Sequence, residues 1–297
     1  MKLQDRLIGT AFWSRYYLQR FTQQRRFRQL SPPQAGWPVV LGISFPKSGT
    51  NLLRQVLVAF AQVGPFADRS FDVFATFDAE TGAARTGQDA ARYLDTLRAG
   101  DIASAHFHTW PETTQAVSQP RYLPYFMYRD PRDVVVSHVF YVTDRAAEHV
   151  HHKYYTQVLT SFEERLRTSI LGLANAVSPD GKPVDFPDIG QRWEPYMTWL
   201  DQPAVLSQRF EDYILNRQTA IAAAADHFLQ RVETLPITRQ ELGQVIEQNI
   251  IPEKSPTFRS GKVGEWQAHF TNEHKALFKK VTGDLLIRLG YEKDNDW

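Results

Sequence analysis

Val39-Val40-Leu41-Gly42-Ile43-Ser44-Phe45-Pro46-Lys47-Ser48-Gly49-Thr50-Asn51 is the stretch on which the reading of the fold turns. Its first seven residues are a short, nearly all-apolar run, which predicts a buried strand. A loop follows from Pro46 to Thr50, and then Leu52, Leu53, Val56, Leu57 and Phe60 recur on one face of a predicted helix. Strand, glycine-containing loop and helix in that order make a phosphate cradle. Unpaired N–H groups at the helix start, the Lys47 cation and two hydroxyls gather around one point. A nucleotide kinase of the P-loop type would carry G-x-x-x-x-G-K-[ST], with the lysine after the glycine. Here Lys47 precedes Gly49, which argues against a kinase. The bland alternative is a plain strand-to-helix turn with a stray lysine.

Further strands are predicted at 102–106, 125–128 and 204–210. Asp130 stands at an N-cap position with Pro131 at the first helical position, opening a helix through about Tyr141. Capping boxes are read at Ser161-Phe-Glu-Glu164 and Thr238-Arg-Gln-Glu241, and a last helix from Asn272 stops at Gly290. Strands alternating with helices predict an α/β fold. Its three layers are a mainly parallel central sheet, helices on both faces and, at the strand ends, a P-loop-like phosphate-binding loop.

The 297 residues are 42% hydrophobic and 23% charged, an ordinary globular composition. There is no cysteine, which excludes disulfides and thiol nucleophiles. No apolar run approaches the ~20 residues of a spanning helix. The N-terminus has no secretory-type apolar stretch, so a cytoplasmic location is expected. The net charge of +1 hides an asymmetry: residues 1–30 carry seven Lys/Arg against Asp5 alone. Ser31-Pro32-Pro33-Gln34-Ala35-Gly36 is a break. The chain therefore divides into a basic amphipathic arm, 1–36, and a main domain, 37–297. Leu7, Ile8, Ala11, Phe12, Leu18 and Phe21 give the arm a rough apolar stripe. It is either a helix laid on the domain with a solvated basic face, or an interfacial helix drawn to anionic lipid or a polyanionic acceptor.

Two more loops suit anions. Tyr128-Arg129-Asp130-Pro131-Arg132-Asp133-Val134-Val135-Val136-Ser137 puts Arg129 at a strand end, where ligands of open α/β sheets collect, with Ser137 on the following helix. Phe258-Arg259-Ser260-Gly261-Lys262-Val263-Gly264-Glu265-Trp266 sets two glycines among cations. Taken singly, the first also reads as an Arg–Asp surface pair at a helix start and the second as a basic surface turn. Together the three imply a ligand with anionic groups at two separated places.

These segments resemble the sulfotransferases that use 3'-phosphoadenosine-5'-phosphosulfate (PAPS). Phe45–Asn51 is similar to the family's 5'-phosphosulfate loop, Arg129–Ser137 to its 3'-phosphate motif, and the stretch from Phe258 to its C-terminal R-K-G-x-x-G-D-W loop. Gln208-Arg209-Phe210-Glu211-Asp212 resembles its Y-E-D strand end. The resemblance implies that Lys47 touches the bridging oxygen between phosphate and sulfate. Ser48, Gly49, Thr50 and Asn51 would hold the 5'-phosphate, and Arg129, Ser137, Arg259 and Gly261 the 3'-phosphate. It implies PAPS as co-substrate, 3',5'-bisphosphoadenosine (PAP) as product, and no metal. The general base is implied at His106, 23 residues ahead of Arg129, with His108 as rival. On a strand the two would point the same way, so periodicity does not separate them. The acceptor would be a hydroxyl or amine, with a saccharide or lipid-linked glycan favoured by the basic arm.

The chain departs from the family pattern at Leu52, often Trp, at Phe210, usually Tyr, and at Ser260, usually Lys with Lys262 nearby. Leu52 and Phe210 bear on adenine packing and leave the phosphate contacts intact. The family's dimerisation pattern is not reproduced at 267–276. Glu148-His149-Val150-His151-His152 reads as a loop bordering the acceptor pocket rather than a metal site. Trp193, Tyr196 and Trp199 recur at helical spacing and read as core, or in one case as acceptor lining. No basic, aromatic-interleaved nucleic-acid module is present. Two rivals to an active sulfotransferase stand beside it: a PAPS- or PAP-binding protein without catalysis, and the P-loop-type kinase.

Overall fold

A computed structural model of the protein describes residues 3–78, 81–255 and 259–297, with side chains from residue 9 onward in the first helix. Lys2, Phe258 and the side chains of Leu7 and Ile8 lie outside what is described. Five strands build the sheet: β1 (Val39–Ser44), β2 (Ala67–Asp68), β3 (Asp101–Ala105), β4 (Tyr122–Tyr128) and β5 (Leu206–Arg209). Their order is β2-β3-β1-β4-β5, and every neighbouring pair is parallel. Pairing of Ile43 with Ala105, Ser44 with Met127 and Tyr128 with Arg209 sets the carboxyl ends of four strands side by side. The loops leaving those ends carry the site.

Helix α1 (Leu3–Arg26) precedes the sheet, and α2 (Thr50–Val58) follows β1. Next come α3 (Gly87–Thr96) and α4 (Pro111–Val117), on either side of β3. α5 (Pro131–Asp144), α6 (Phe162–Leu171) and α7 (Ile189–Trp193) lie between β4 and β5. After β5 come α8 (Phe210–Leu215), α9 (Arg217–Leu229), α10 (Arg239–Asn249), α11 (Asn272–Thr282) and α12 (Leu285–Arg288).

The period-2 alternation of β1 divides its side chains between two cores. Val39, Leu41, Ile43 and Phe45 pack with Val135, Val139 and Trp193 on one face. Val40 packs with Leu53, Val56 and Leu57 of α2, and with Phe228 and Leu242, on the other. That two-sided burial is why the strand reads as a continuous apolar run. Gly42 eases the approach of α2: a Cβ there would stand 2.9 Å from Leu57 Cδ1.

Several boundaries differ from the sequence reading. β3 ends at Ala105 because the next N–H, of His106, leaves the ladder and donates to Phe74 O at 2.7 Å. β5 covers Leu206–Arg209, and Phe210 already opens α8. The helix expected to run to Gly290 breaks at Gly283, whose φ of +55° takes the chain out of the helical region, and α12 follows. Both capping boxes are formed, at Ser161/Glu164 and Thr238/Glu241.

α1 docks through a different face from the one its stripe suggested. Tyr16 is buried and its hydroxyl donates to Asp101 Oδ1 (2.7 Å), beside Arg20 Nη1 on the same oxygen (2.8 Å). Gln19 Oε1 accepts from the backbone N–H of Asp68 (3.1 Å), so α1 shields the edge strand β2. Phe12, Leu18 and Phe21 of the stripe face solvent, with Leu18 64% exposed. The polar ends of Tyr16 and Arg20 find a buried carboxylate in β3, and that outweighs apolar patterning. Among the described residues no helix is long and apolar enough to cross a membrane.

Candidate active site

The loop between β1 and α2 is bent by two left-handed residues, Lys47 (φ +70°) and Gly49 (φ +94°). Glycine is needed at 49 on two counts, since a Cβ would also lie 2.6 Å from Phe210 Cδ2. Lys47 adopts the same region without that freedom, a strain that binding loops commonly carry. No side chain caps the N-terminus of α2, so its first-turn N–H groups stay open to an anion. Thr50 Oγ1 pairs with Ser44 Oγ at 2.8 Å, and Asn51 is half-buried in the same turn. Ser48 is fully buried, yet its hydroxyl has no hydrogen-bond partner among the described residues. An orphaned hydroxyl inside an N–H-rich loop fits a phosphate oxygen.

Lys47 Nζ lies 3.5 Å from the centroid of the Tyr141 ring, on α5. Burial, and then the charges of Arg129 and Arg259, lower its pKa to about 7. The charges of both arginines named from the sequence thus reach Lys47, the electrostatic condition for an anion site.

Arg129 leaves the end of β4 and is held from three directions. Its Nη2 donates to Asp133 Oδ2 (3.1 Å) and to Lys262 O (2.7 Å), while the guanidinium lies 4.6 Å from the Phe210 ring centroid. Its Nε is buried without a hydrogen-bond partner among the described residues, a second orphan. Asp130 caps α5, accepting from the N–H of Arg132 at 2.9 Å. Ser137 is half-buried two turns further along.

The C-terminal loop closes onto this helix through Asp133, a residue sequence reasoning passed over. Its two oxygens accept from Gly264 N–H and Trp266 N–H, both at 2.9 Å. Arg259 pairs with both carboxylate oxygens of Glu265 and sits 4.1 Å from the Phe140 ring centroid. Gly261 and Gly264 have φ of +61° and +73°, so the turn needs both. Arg132 lies between Trp266 and Trp297, 4.0 and 4.6 Å from their centroids, and also pairs with Asp130 and Glu292. The alternating charges of 129–133 were the available signal, but the loop partners of Asp133 lie more than a hundred residues away.

The structure gives the two candidate bases different surroundings. His106 Nδ1 stands 2.7 Å from Ser44 O, and Tyr196 OH donates to His106 O at 3.2 Å. Burial lowers the pKa of His106, the Ser44 bond opposes that, and the charge of Lys47 lowers it again. His108 packs against Trp110 and Tyr196, with centroids 4.8 and 4.9 Å away, and burial alone lowers it to about 4. Of these two, His106 and not His108 is electrostatically coupled to Lys47 of the phosphate loop. Trp193, Tyr196 and Trp199 are all buried: Trp193 stacks on Phe45 at 4.4 Å, and Trp199 Nε1 donates to Phe107 O at 2.8 Å. They fix the loop and the histidine segment from behind. Among the described residues no group of His, Cys, Asp or Glu is placed to hold a metal, the 148–152 segment included.

A parallel sheet with a phosphate loop at one strand end and an arginine at the next defines a nucleotide-binding α/β protein. The sulfotransferase domain matches residues 38–290, and the chain belongs to the sulfotransferase family, whose members move a sulfuryl group from PAPS to an acceptor. No curated protein matches the chain. Among solved structures it is similar to the mouse sulfotransferase SULT7A1 complexed with PAP. The TM-score is 0.50 and the identity 13%, covering 95% of this chain and 92% of that one. It is also similar to retinol dehydratase in complex with androsterone and inactive cofactor PAP, with TM-score 0.50, identity 15% and coverage of 91% and 84%. A complex of retinol dehydratase with retinol and PAP gives TM-score 0.50 at 16% identity, with the same coverage. At these identities the likeness is one of fold.

Proposed function

We propose that this chain transfers the sulfuryl group of PAPS to a hydroxyl of a saccharide or other glycan by in-line displacement, with His106 as general base. The observation that carries the reading is the setting of His106. The Ser44 carbonyl can only accept, so the Nδ1 facing it bears the proton and Nε2 keeps its lone pair. Burial and Lys47 keep that imidazole unprotonated near neutrality. PAPS supplies the activated sulfuryl group. Lys47 stabilises negative charge at the leaving oxygen, which in-line transfer of a charged group chiefly requires. Ser48, Gly49, Thr50, Asn51 and the open N–H groups of α2 hold the 5'-phosphate. Arg129, Ser137, Arg259 and Gly261 hold the 3'-phosphate, and Asp133 keeps their loop closed.

The test is calorimetry with PAP, followed by transfer from radiolabelled PAPS across saccharides, phenols and lipids. His106→Ala should lower kcat by roughly 10²–10⁴ while PAP affinity holds. Full turnover by the variant removes His106 as base, and PAP binding without transfer to any acceptor makes the chain a nucleotide-binding protein.

We further propose that the protein is cytoplasmic and touches a membrane surface through its arm, 1–36, beside the catalytic domain, 37–297. The support is the outward face of α1. Leu18 and Phe21 are exposed there beside exposed Arg15, Arg25 and Arg26, with no acidic residue from position 6 to 30. Apolar and cationic side chains sharing one solvent face suit the headgroup region of anionic lipid.

A further inference from the structure

Each of the three cations assigned to the anion site lies against an aromatic face. Arg129 is 4.6 Å from the Phe210 centroid, Arg259 is 4.1 Å from that of Phe140, and Lys47 Nζ is 3.5 Å from that of Tyr141. The two arginines also have carboxylates, Asp133 and Glu265. Lys47 differs. No carboxylate acts on it, and the charges that do, Arg129 and Arg259, are both positive. What favours its ammonium, among the described residues, is the Tyr141 ring.

Tyr141 reaches Lys47 through its place on α5. Asp133, Ser137 and Tyr141 are four residues apart, so they form one stripe with about 6 Å of rise per step. Asp133, at one end, holds the C-terminal loop, and Tyr141, at the other, meets the phosphate loop. The Tyr141 carbonyl accepts from the N–H groups of Arg145 and Ala146, at 3.1 and 3.0 Å, in the turn that ends the helix. A carboxylate in the place of this ring would also hold Lys47, but it would cancel the charge that a phosphate must meet. A ring attracts the ammonium through its quadrupole and adds no net charge. Of the three ammonium N–H groups, those that point away from the ring stay available to an incoming oxygen.

We propose that Tyr141 is a positioning residue for sulfuryl transfer: its ring face holds the Lys47 ammonium where a carboxylate would otherwise stand, so the cation meets the donor's anionic groups unneutralised. This rests on the proposed placement of Lys47 at the leaving oxygen. Besides the two arginines, three imidazoles are coupled to Lys47: His106, at the end of β3, His138 on α5, and His149 in the loop after it. Burial comes first in lowering all three, His149 to about 4 and His138 well below its ordinary value. They are neutral where Lys47 titrates, so the ring is set against burial and the two arginines.

The experiment measures PAP affinity by calorimetry between pH 6 and 9 for the wild type, Tyr141→Phe and Tyr141→Leu. Tyr141→Phe keeps the ring face and should follow the wild type. Without a ring the lysine gives up its proton at lower pH, so Tyr141→Leu should bind PAP about tenfold more weakly at pH 8. The deficit should shrink toward pH 6, where Lys47 regains its charge in both proteins. A residue that merely shaped the site would lose affinity equally at every pH. Should Tyr141→Leu fail to fold, phenylalanines at 141 with one, three and five ring fluorines keep the shape and weaken the ring face stepwise. The midpoint of the affinity profile should then fall in that order. A Tyr141→Leu profile that coincides with the wild type, or lies below it by the same factor throughout, overturns the proposal. A common midpoint for the fluorinated rings does so too. Level wild-type affinity from pH 7 to 9 also overturns it, because Lys47 then does not meet the anion. Failure of the wild type to bind PAP at any pH removes the transferase reading, and this proposal with it.

Discussion

Lys47 combines three uncommon conditions: a left-handed backbone, an ammonium against an aromatic face, and a pKa lowered to about 7 by burial first and then by the charges of Arg129 and Arg259. A lysine in that state is half neutral at physiological pH in the empty site and regains its proton when an anion arrives. The sign follows. PAP affinity should fall as pH rises from 7 to 9, a range above the phosphates' second ionisation at about 6. Calorimetry at pH 8 in buffers of differing ionisation enthalpy should register proton uptake on binding. Affinity that stays level to pH 9, with no proton taken up, would contradict the placement of Lys47 at the anion. The lysine was legible in the sequence because strand, loop and helix are contiguous there. Tyr141 was not, because nothing local marks which ring on α5 turns toward the phosphate loop.

At the level of elements, the join between α5 and the C-terminal loop is what brings Arg129 and Arg259 to one place. Asp133 supplies its backbone anchors, with one carboxylate serving Arg129, Gly264 N–H and Trp266 N–H. Asp133→Asn removes the buried charge facing Arg129 and one of the acceptors. It should cost about 3 kcal/mol of stability by chemical denaturation, as breaking a buried pair does, and weaken PAP more than His106→Ala does. Unchanged stability and PAP affinity would show that the loop closes without this contact. The capping boxes, the Asp130 cap and the central strands were readable because their signals span a few residues. The ends of β3 and β5 and the break at Gly283 were missed, since each is set by a contact or a glycine conformation that hydrophobic period does not encode.

For the molecule as a whole, the arm and the catalytic face raise different expectations. The parallel sheet and its helical layers followed from alternating strand and helix signals, whereas the docking face of α1 did not, because its partner Asp101 lies 81 residues beyond Arg20. Charge on the outward face can be altered without touching that docking. The combined variant Arg15→Ala, Arg25→Ala, Arg26→Ala should sediment less with vesicles rich in phosphatidylserine at about 0.1 M salt, while transfer to a water-soluble acceptor holds. Equal sedimentation of variant and wild type would remove the lipid contact.

Asp101 makes removal of the arm a poor substitute for that experiment. Tyr16, Arg20 and the Arg98 N–H all end on its carboxylate, and it is wholly enclosed. Cutting away α1 would leave a stranded negative charge at the root of β3, with Arg69 Nη1, 3.8 Å off, as the remaining cation. The strand that presents His106 at its far end would then carry the defect. A shortened protein would lose turnover for reasons unrelated to lipid unless Asp101→Asn accompanied the cut.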